Sequence, residues 1–130
     1  LNHLNRITHR EIRKLKEKLT RTLYKSEPES TVIYDVPLLF ENDMQHSFQK
    51  TILITINPDI QIDRLVKGRQ MNVNDVKARL SHQMPQNEKI ALADIVIENN
   101  TSTADLKSKI KGTFKEILLL SSLELKSIKH

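Results

Sequence analysis

Two short apolar runs that lead straight into helix-start signals constrain this chain more than any other feature. Residues 50–56 (KTILITI) are apolar or β-branched at nearly every position, and residues 94–98 (DIVIE) repeat the pattern. Such runs suit strands covered on both faces, because alternation disappears once neither face meets water. The first run meets Asn57-Pro58-Asp59. There Asn57 can cap, Pro58 suits the first helical position, and Asp59 complements the helix dipole. The second run meets Ser102 and Asp105, which start a last long helix. A third β-branched run, residues 31–35 (TVIYD), reads as a strand that Pro37 cuts short. Strands alternating with helices favour a parallel sheet with helices on both sides.

The helices follow from spacing. Leu4, Ile12, Leu15, Leu19 and Leu23 form one apolar stripe over residues 1–25. Pro28, within residues 26–30, ends that helix in a turn, and residues 36–41 read as an ordered apolar loop or a turn of helix. The helix opened by Pro58 runs to about Lys67, where Gly68 is expected to stop it. Asn72 begins another, with Asp75 as a capping-box partner and Val76, Leu80 and Gln83 on one face. Pro85 opens a short helix through Ile90 and Leu92. The last helix carries Leu106, Ile110, Phe114, Ile117 and Leu120 on its inner face. Three strands make a small sheet, and buried parallel strands need neighbours on both sides. The chain also opens at Leu1 inside a helical pattern. We therefore expect a fold incomplete at its N-terminus, with at least one more strand upstream.

Composition narrows the chemistry. The 130 residues contain no cysteine, which excludes disulfides, cysteine-ligated zinc and thiol catalysis. Two glycines and no glycine-rich run leave no phosphate-cradling loop within these residues. The longest apolar runs are too short to span a bilayer. The net charge of +5 is concentrated: residues 1–25 hold eight basic groups against two acidic ones. That pattern suits a nucleic-acid-binding segment, and it equally suits an enzyme that handles phosphates.

Among single residues the arginines are the most informative. Arg64 and Arg69 flank the end of one helix and Arg79 sits in the next, with the polar hinge 68–72 between. Arginines around a hinge can swing over a polyphosphate in fork geometry; otherwise they line a solvated helix face. Asp35, at the end of a buried strand, could reach a magnesium-bound water from the carboxyl edge of a sheet, or could cap the following loop. Glu41 after the apolar residues Leu38, Leu39 and Phe40 is harder to place, since an unpaired buried carboxylate is costly. The five histidines lack the i, i+4 spacing of a metalloprotease, and Ser121-Ser122 lacks elbow glycines.

Several strings together resemble one family, the dephospho-coenzyme A kinases. Residues 35–41 (DVPLLFE) are similar to its signature after a strand. Residues 61–65 (QIDRL) resemble Q-x-x-R-L, residues 79–85 (RLSHQMP) resemble R-I-x-x-Q-x-P, and Glu88-Lys89 with residues 93–99 (ADIVIEN) resemble E-K and A-D-x-V-I-x-N. Residues 4–9 (LNRITH) resemble the segment before its H-P pair. The resemblance implies a three-layer α/β fold of the P-loop NTPase type, with a helical acceptor-binding region and a lid. It divides the chain into an acceptor-binding part (1–30), core strands and acceptor loop (31–63), a lid (64–88), and a core end with the last strand and helix (89–130). It implies transfer of the γ-phosphoryl of ATP to the 3′-hydroxyl of dephospho-coenzyme A, the last step of coenzyme A biosynthesis. A cytoplasmic monomer is expected, with ATP as co-substrate and magnesium held mostly by residues outside this chain.

By the same resemblance, Arg64 and Arg79 are the expected catalytic residues. Arg6, His9, Asp35, Pro37, Leu38, Leu39 and Glu41 would bind the acceptor, while Arg69, Gln83 and Asn99 would bind ATP. His9, on the basic helix, also reads as a satisfied, partly buried histidine rather than a ligand. Three departures stand out: Arg10 follows His9 where the family has proline, Gly68 replaces the second lid arginine with Arg69 one place later, and Thr101 replaces a glycine. The family's G-x-x-G-S-G-K-[ST] loop and the acidic residue after it are expected to precede Leu1, so the chain alone should not turn over. Two rivals remain: a small basic nucleic-acid-binding module, disfavoured because the basic helix lacks aromatic residues for stacking, and another nucleotide kinase of the same fold.

Overall fold

The protein is described by a computed structural model, which covers the backbone of residues 2–127 and the side chains of residues 11, 12 and 14–119. The chain divides into two compact units, residues 1–37 and 38–130.

The first unit is dominated by helix α1 (Asn2–Ser26). Its apolar stripe is real as a pattern, yet Ile12, Leu15 and Leu19 are more than half exposed. The turn after it closes with a bond from the Ser30 N–H to the Glu27 carbonyl, 3.0 Å. Residues 31–35 do not form the expected strand. A strand exists only through its ladder, and no other strand among the described residues pairs with this run. Ile33 accordingly remains 68% exposed. Tyr34 instead ties the run to α1: its hydroxyl bonds Thr20 Oγ1, and the Lys16 ammonium lies over its ring at 4.9 Å.

The second unit begins with a loop whose Phe40 is buried, continues through a 3₁₀ turn (Gln45–Ser47), and enters β1 (Ile52–Thr55). Three helices follow: α2 (Pro58–Arg69), α3 (Val73–Ser81) and α4 (Gln86–Leu92). Strand β2 (Ile95–Glu98) and the long helix α5 (Thr103–Ser127) complete it. The two strands pair in parallel, Ile52 with Ile95 through Thr55 with Glu98. A parallel pair requires a crossover, and α2–α4 supply it. Helix α4 packs on β1, α5 packs on β2, and α2 packs on α3. Coverage is thinner than the apolar runs imply: Ile54 is 46% and Val96 39% exposed. The core centres on Phe40, Val76 and Ile97, with Thr51 and Thr55 buried at the two ends of β1.

The helix ends follow their sequence signals with two exceptions, the Asp75 capping box and the Gly68 stop. Asn57 caps α2 by accepting from the Asp59 N–H at 2.9 Å, and Asn72 caps α3 by accepting from the Asn74 N–H at 2.8 Å. Asp75 lies in the first turn of α3, and its side chain takes no part in that cap. The expected stop at Gly68 does not occur. Helix α2 continues to Arg69, and Gln70 takes the left-handed conformation (φ 52°, ψ 33°) that ends it, donating its N–H to the Leu65 carbonyl. The backbone conformation that usually calls for glycine thus falls on a glutamine.

Candidate functional site

The carboxyl ends of β1 and β2 converge on one loop, residues 99–101, between β2 and α5. The Asn99 N–H extends the ladder by donating to the Thr55 carbonyl at 2.8 Å. From the β1 side, the Asn57 N–H donates to Asn100 Oδ1 at 2.7 Å. From the second turn of α2, the Arg64 guanidinium reaches across. Its Nη1 donates to the Asn99 carbonyl at 2.9 Å and to Asn99 Oδ1 at 3.2 Å, and its Nη2 donates to the Thr101 carbonyl at 2.8 Å. From α5, Ser102 caps by accepting from the Asp105 N–H at 3.2 Å. The Asp105 carboxylate meets the Thr101 hydroxyl and pairs with Lys109 at 2.9 Å. Hydrogen bonding from Lys109 and Thr101 holds that carboxyl below its ordinary range. Lys109 also donates to the Glu98 carbonyl at 3.2 Å.

Three elements therefore fix one short loop at the carboxyl edge of a parallel sheet, where open α/β folds place their ligands. Two cations, Arg64 and Lys109, stand at this edge.

A second polar cluster links the loop 38–44 to the start of α4. The loop closes on itself through Asn42 N–H to Leu38 carbonyl (3.3 Å) and Met44 N–H to Leu39 carbonyl (3.0 Å). The Glu41 side chain links this loop to α4. One carboxylate oxygen pairs with the Lys89 ammonium and accepts from the Met84 N–H at 3.3 Å. The two side chains are only 17% and 12% exposed. Burial pushes the Glu41 carboxyl up, but Lys89 and the backbone donors outweigh it and leave the carboxyl below its ordinary range. The difficulty of an acid after an apolar loop is thus resolved by a distant lysine.

At the opposite, amino edge of the sheet, Asp94 accepts from the N–H and the hydroxyl of Thr51, each at 2.7 Å. Lys50 stands 3.6 Å away. These bonds hold the Asp94 carboxyl below its ordinary range, Thr51 contributing most.

The expected site residues divide accordingly. Arg64 and Asn99 are brought into contact, and Glu41 is paired with Lys89. Leu38 and Leu39 lie in the same loop as Glu41. Arg69 ends α2, Arg79 lies in the last turn of α3, and Gln83 follows α3; all three are exposed. Among the described residues the Arg69 and Arg79 side chains make no hydrogen bond or ion pair, so both guanidinium groups keep their donors for other partners. Asp35 is exposed in the first unit, and because its run forms no strand, it does not end a strand of the described sheet. Pro37 closes that unit. Arg6 and His9 fall on α1, with their side chains outside the described residues. Sequence reasoning missed Lys89 as the partner of Glu41, Asn57 as a tether of Asn100, and Thr51 as the partner of Asp94. Lys89 had a signal in the Glu88-Lys89 pair; the other two have none, because each partner lies on a different element.

A parallel sheet joined through helices, with a fixed polar loop at its carboxyl edge and exposed arginines around a helical hinge, defines the open α/β class, in which ligands sit at that edge. The comparisons specify the family. The dephospho-CoA kinase family model matches residues 1–105. A dephospho-CoA kinase of Streptococcus thermophilus is 41% identical over 83 residues, covering 64% of this chain and 42% of that one. One from Lactobacillus johnsonii is 35% identical over 118 residues, covering 90% of this chain and 59% of its own. The solved structure of the dephospho-CoA kinase from Campylobacter jejuni superposes with a TM-score of 0.64 at 26% identity, covering 91% of this chain and 58% of that one. The chain belongs to the dephospho-CoA kinase family and has its P-loop-type α/β fold. It spans about half the length of the curated relatives it matches.

Proposed function

We propose that the protein carrying this chain is an ATP-dependent dephospho-coenzyme A kinase, and that residues 1–130 form its acceptor-receiving and lid parts. In the reaction the 3′-hydroxyl oxygen of the acceptor's ribose bonds to the γ-phosphorus of ATP. The bond from that phosphorus to the β,γ-bridging oxygen breaks, and the hydroxyl gives up its proton. Coenzyme A and ADP leave. The observation that carries this reading is the family match over residues 1–105.

The parts divide by charge and position. The basic helix α1, with Arg6 and His9, would attract the acceptor's pyrophosphate. The loop with Leu38, Leu39 and Glu41, together with Asp35 and Pro37, would line the acceptor side. The loop at Asn99 would receive the adenine of ATP. Residues 64–88 would act as the lid, bringing Arg69, Arg79 and Gln83 over the phosphates and excluding water. Phosphoryl transfer rewards this arrangement, because positioning and charge neutralisation lower its barrier more than covalent chemistry does.

Magnesium normally accompanies ATP in such a reaction and neutralises the phosphates. Among the described residues no group of three or more histidine, aspartate or glutamate side chains gathers into a metal site. No step assigned to these residues therefore runs through it. Among the described residues no helix is long and apolar enough to cross a membrane. A cytoplasmic monomer is the accompanying proposal.

The test is ADP release by the full-length protein with dephospho-coenzyme A and ATP, alongside calorimetric binding of each. Arg79→Ala should lower turnover at least about tenfold if the guanidinium meets the transition state. Absence of both binding and turnover in the unaltered protein would overturn the reading.

A further inference from the structure

We propose that Arg64 is a positioning residue for the base-holding loop, setting the affinity and selectivity for ATP, rather than a clamp on the transferring phosphoryl group. The proposal rests on the kinase reading above and changes the task expected of this arginine.

The geometry is specific. Arg64 leaves α2 about two turns after its Asn57 cap, and its guanidinium spans the loop instead of the hinge beyond Arg69. Both hydrogens of Nη1 are engaged by one residue, through the Asn99 carbonyl and its Oδ1. Nη2 holds the Thr101 carbonyl two residues further on. A planar fork that grips two carbonyls of one loop fixes both the spacing and the tilt of the backbone between them. Lysine, a point charge on a flexible stem, could hold one carbonyl but could not set that relation.

The rest of the loop is tied in the same sense. The Asn57 N–H holds Asn100 Oδ1 at 2.7 Å, and Asp105 holds the Thr101 side chain. Thr101 stands where the family has glycine, and a residue with a side chain there is restrained by its own bond to α5. Among the described residues only Arg64 grips the carbonyls on both sides of Asn100. A base seated against this loop would be recognised by polar groups whose placement must hold within a fraction of an ångström. Loosening Arg64 would therefore blur the recognition of the base while leaving the reacting phosphate's surroundings intact. Arg79, which has no such engagement, is available for the phosphates.

The two tasks separate in kinetics. Interactions made equally in the ground state and the transition state move KM, whereas those made only in the transition state move kcat. The experiment measures Arg64→Ala and Arg64→Lys in the full-length protein, with ATP and GTP as phosphoryl donors. For Arg64→Ala the KM for ATP should rise about tenfold or more, with kcat falling less than about threefold, for the loss of charge-assisted bonds that order a binding loop. The preference for ATP over GTP should shrink, and the KM for dephospho-coenzyme A should stay within about twofold. Arg64→Lys should behave like Arg64→Ala. A fall in kcat of tenfold or more at unchanged KM for ATP, partly restored by lysine, would overturn the proposal, as would wild-type kinetics in both variants. If Arg64→Ala does not fold, Arg64→Gln takes the same measurements, since it keeps a polar, hydrogen-bonding side chain but is shorter and lacks the charged fork. If the unaltered protein does not phosphorylate dephospho-coenzyme A, the kinase reading fails on its own. Calorimetry with a non-hydrolysable ATP analogue then still decides the role of Arg64: weaker binding in the variants supports it, and equal binding ends it.

Discussion

Lys89 reaches from the middle of α4 to Glu41, and each side chain makes the other tolerable. A carboxylate this far from water is costly alone, and so is an ammonium. Removing either leaves the other charge exposed to the same penalty without compensation. Lys89→Met should therefore destabilise by on the order of 2 kcal/mol, between the values for exposed and fully buried pairs. The double variant Lys89→Met with Glu41→Gln should recover part of that loss. Urea midpoints of the single and double variants measure it; strictly additive losses would show that the two residues do not interact. Because Glu41 also accepts from the Met84 N–H, the same variants should loosen the start of α4. Amide exchange of Met84 reads that directly.

At the scale of the element, the end of α2 shows where local signals mislead. Gly68 carries the residue type of a helix stop but lies inside the helix, and a Cβ placed there meets nothing within 4 Å. Gly68→Ala should stabilise by about 0.5–1 kcal/mol, since alanine loses less entropy on entering a helix. Gln70 has the mirror problem, holding φ 52° with a full side chain. Gln70→Gly should stabilise by about 0.5–1 kcal/mol by removing the Cβ strain of the left-handed region. Thermal melts of the two variants check both signs together, and a destabilising Gln70→Gly would mean the glutamine side chain is held by packing. The helix runs past Gly68 because the following residues still find partners: the Gln70 and Met71 N–H groups both return to the Leu65 carbonyl, at 3.4 Å for Met71. That choice depends on where α3 must begin, which a glycine cannot announce.

For the molecule as a whole, acid is the sharpest probe of the sheet. Asp94 and Glu41 both have carboxyl groups held below their ordinary range in the folded chain. Their contribution is present above the unfolded value, near pH 4, and is lost as pH falls through the lowered folded value. Stability should therefore decline below about pH 4, and the Asp94→Asn variant should show a shallower decline. At neutral pH that variant should lose about 1 kcal/mol, because Asp94 is 40% exposed and solvent screens part of its bonding to Thr51 and Lys50. Equal acid slopes for the variant and the unaltered chain would remove Asp94 from this account. What the amino acids alone determined was local or pairwise in kind: the helix starts at Asn57 and Asn72, the strands at residues 50–56 and 94–98, the parallel topology that alternation demands, and the family resemblance of the motif strings. These depend on neighbours within a few positions, where spacing and capping chemistry decide the outcome. The remainder waited for the three-dimensional arrangement. The run 31–35 has strand composition but no ladder, because a strand needs a partner that no residue within the run can supply. Arg64 rests on the loop at Asn99, Glu41 on Lys89 and Asp94 on Thr51, because a long side chain takes the carbonyl or charge that folding brings within its reach, and sequence distance carries no record of that approach.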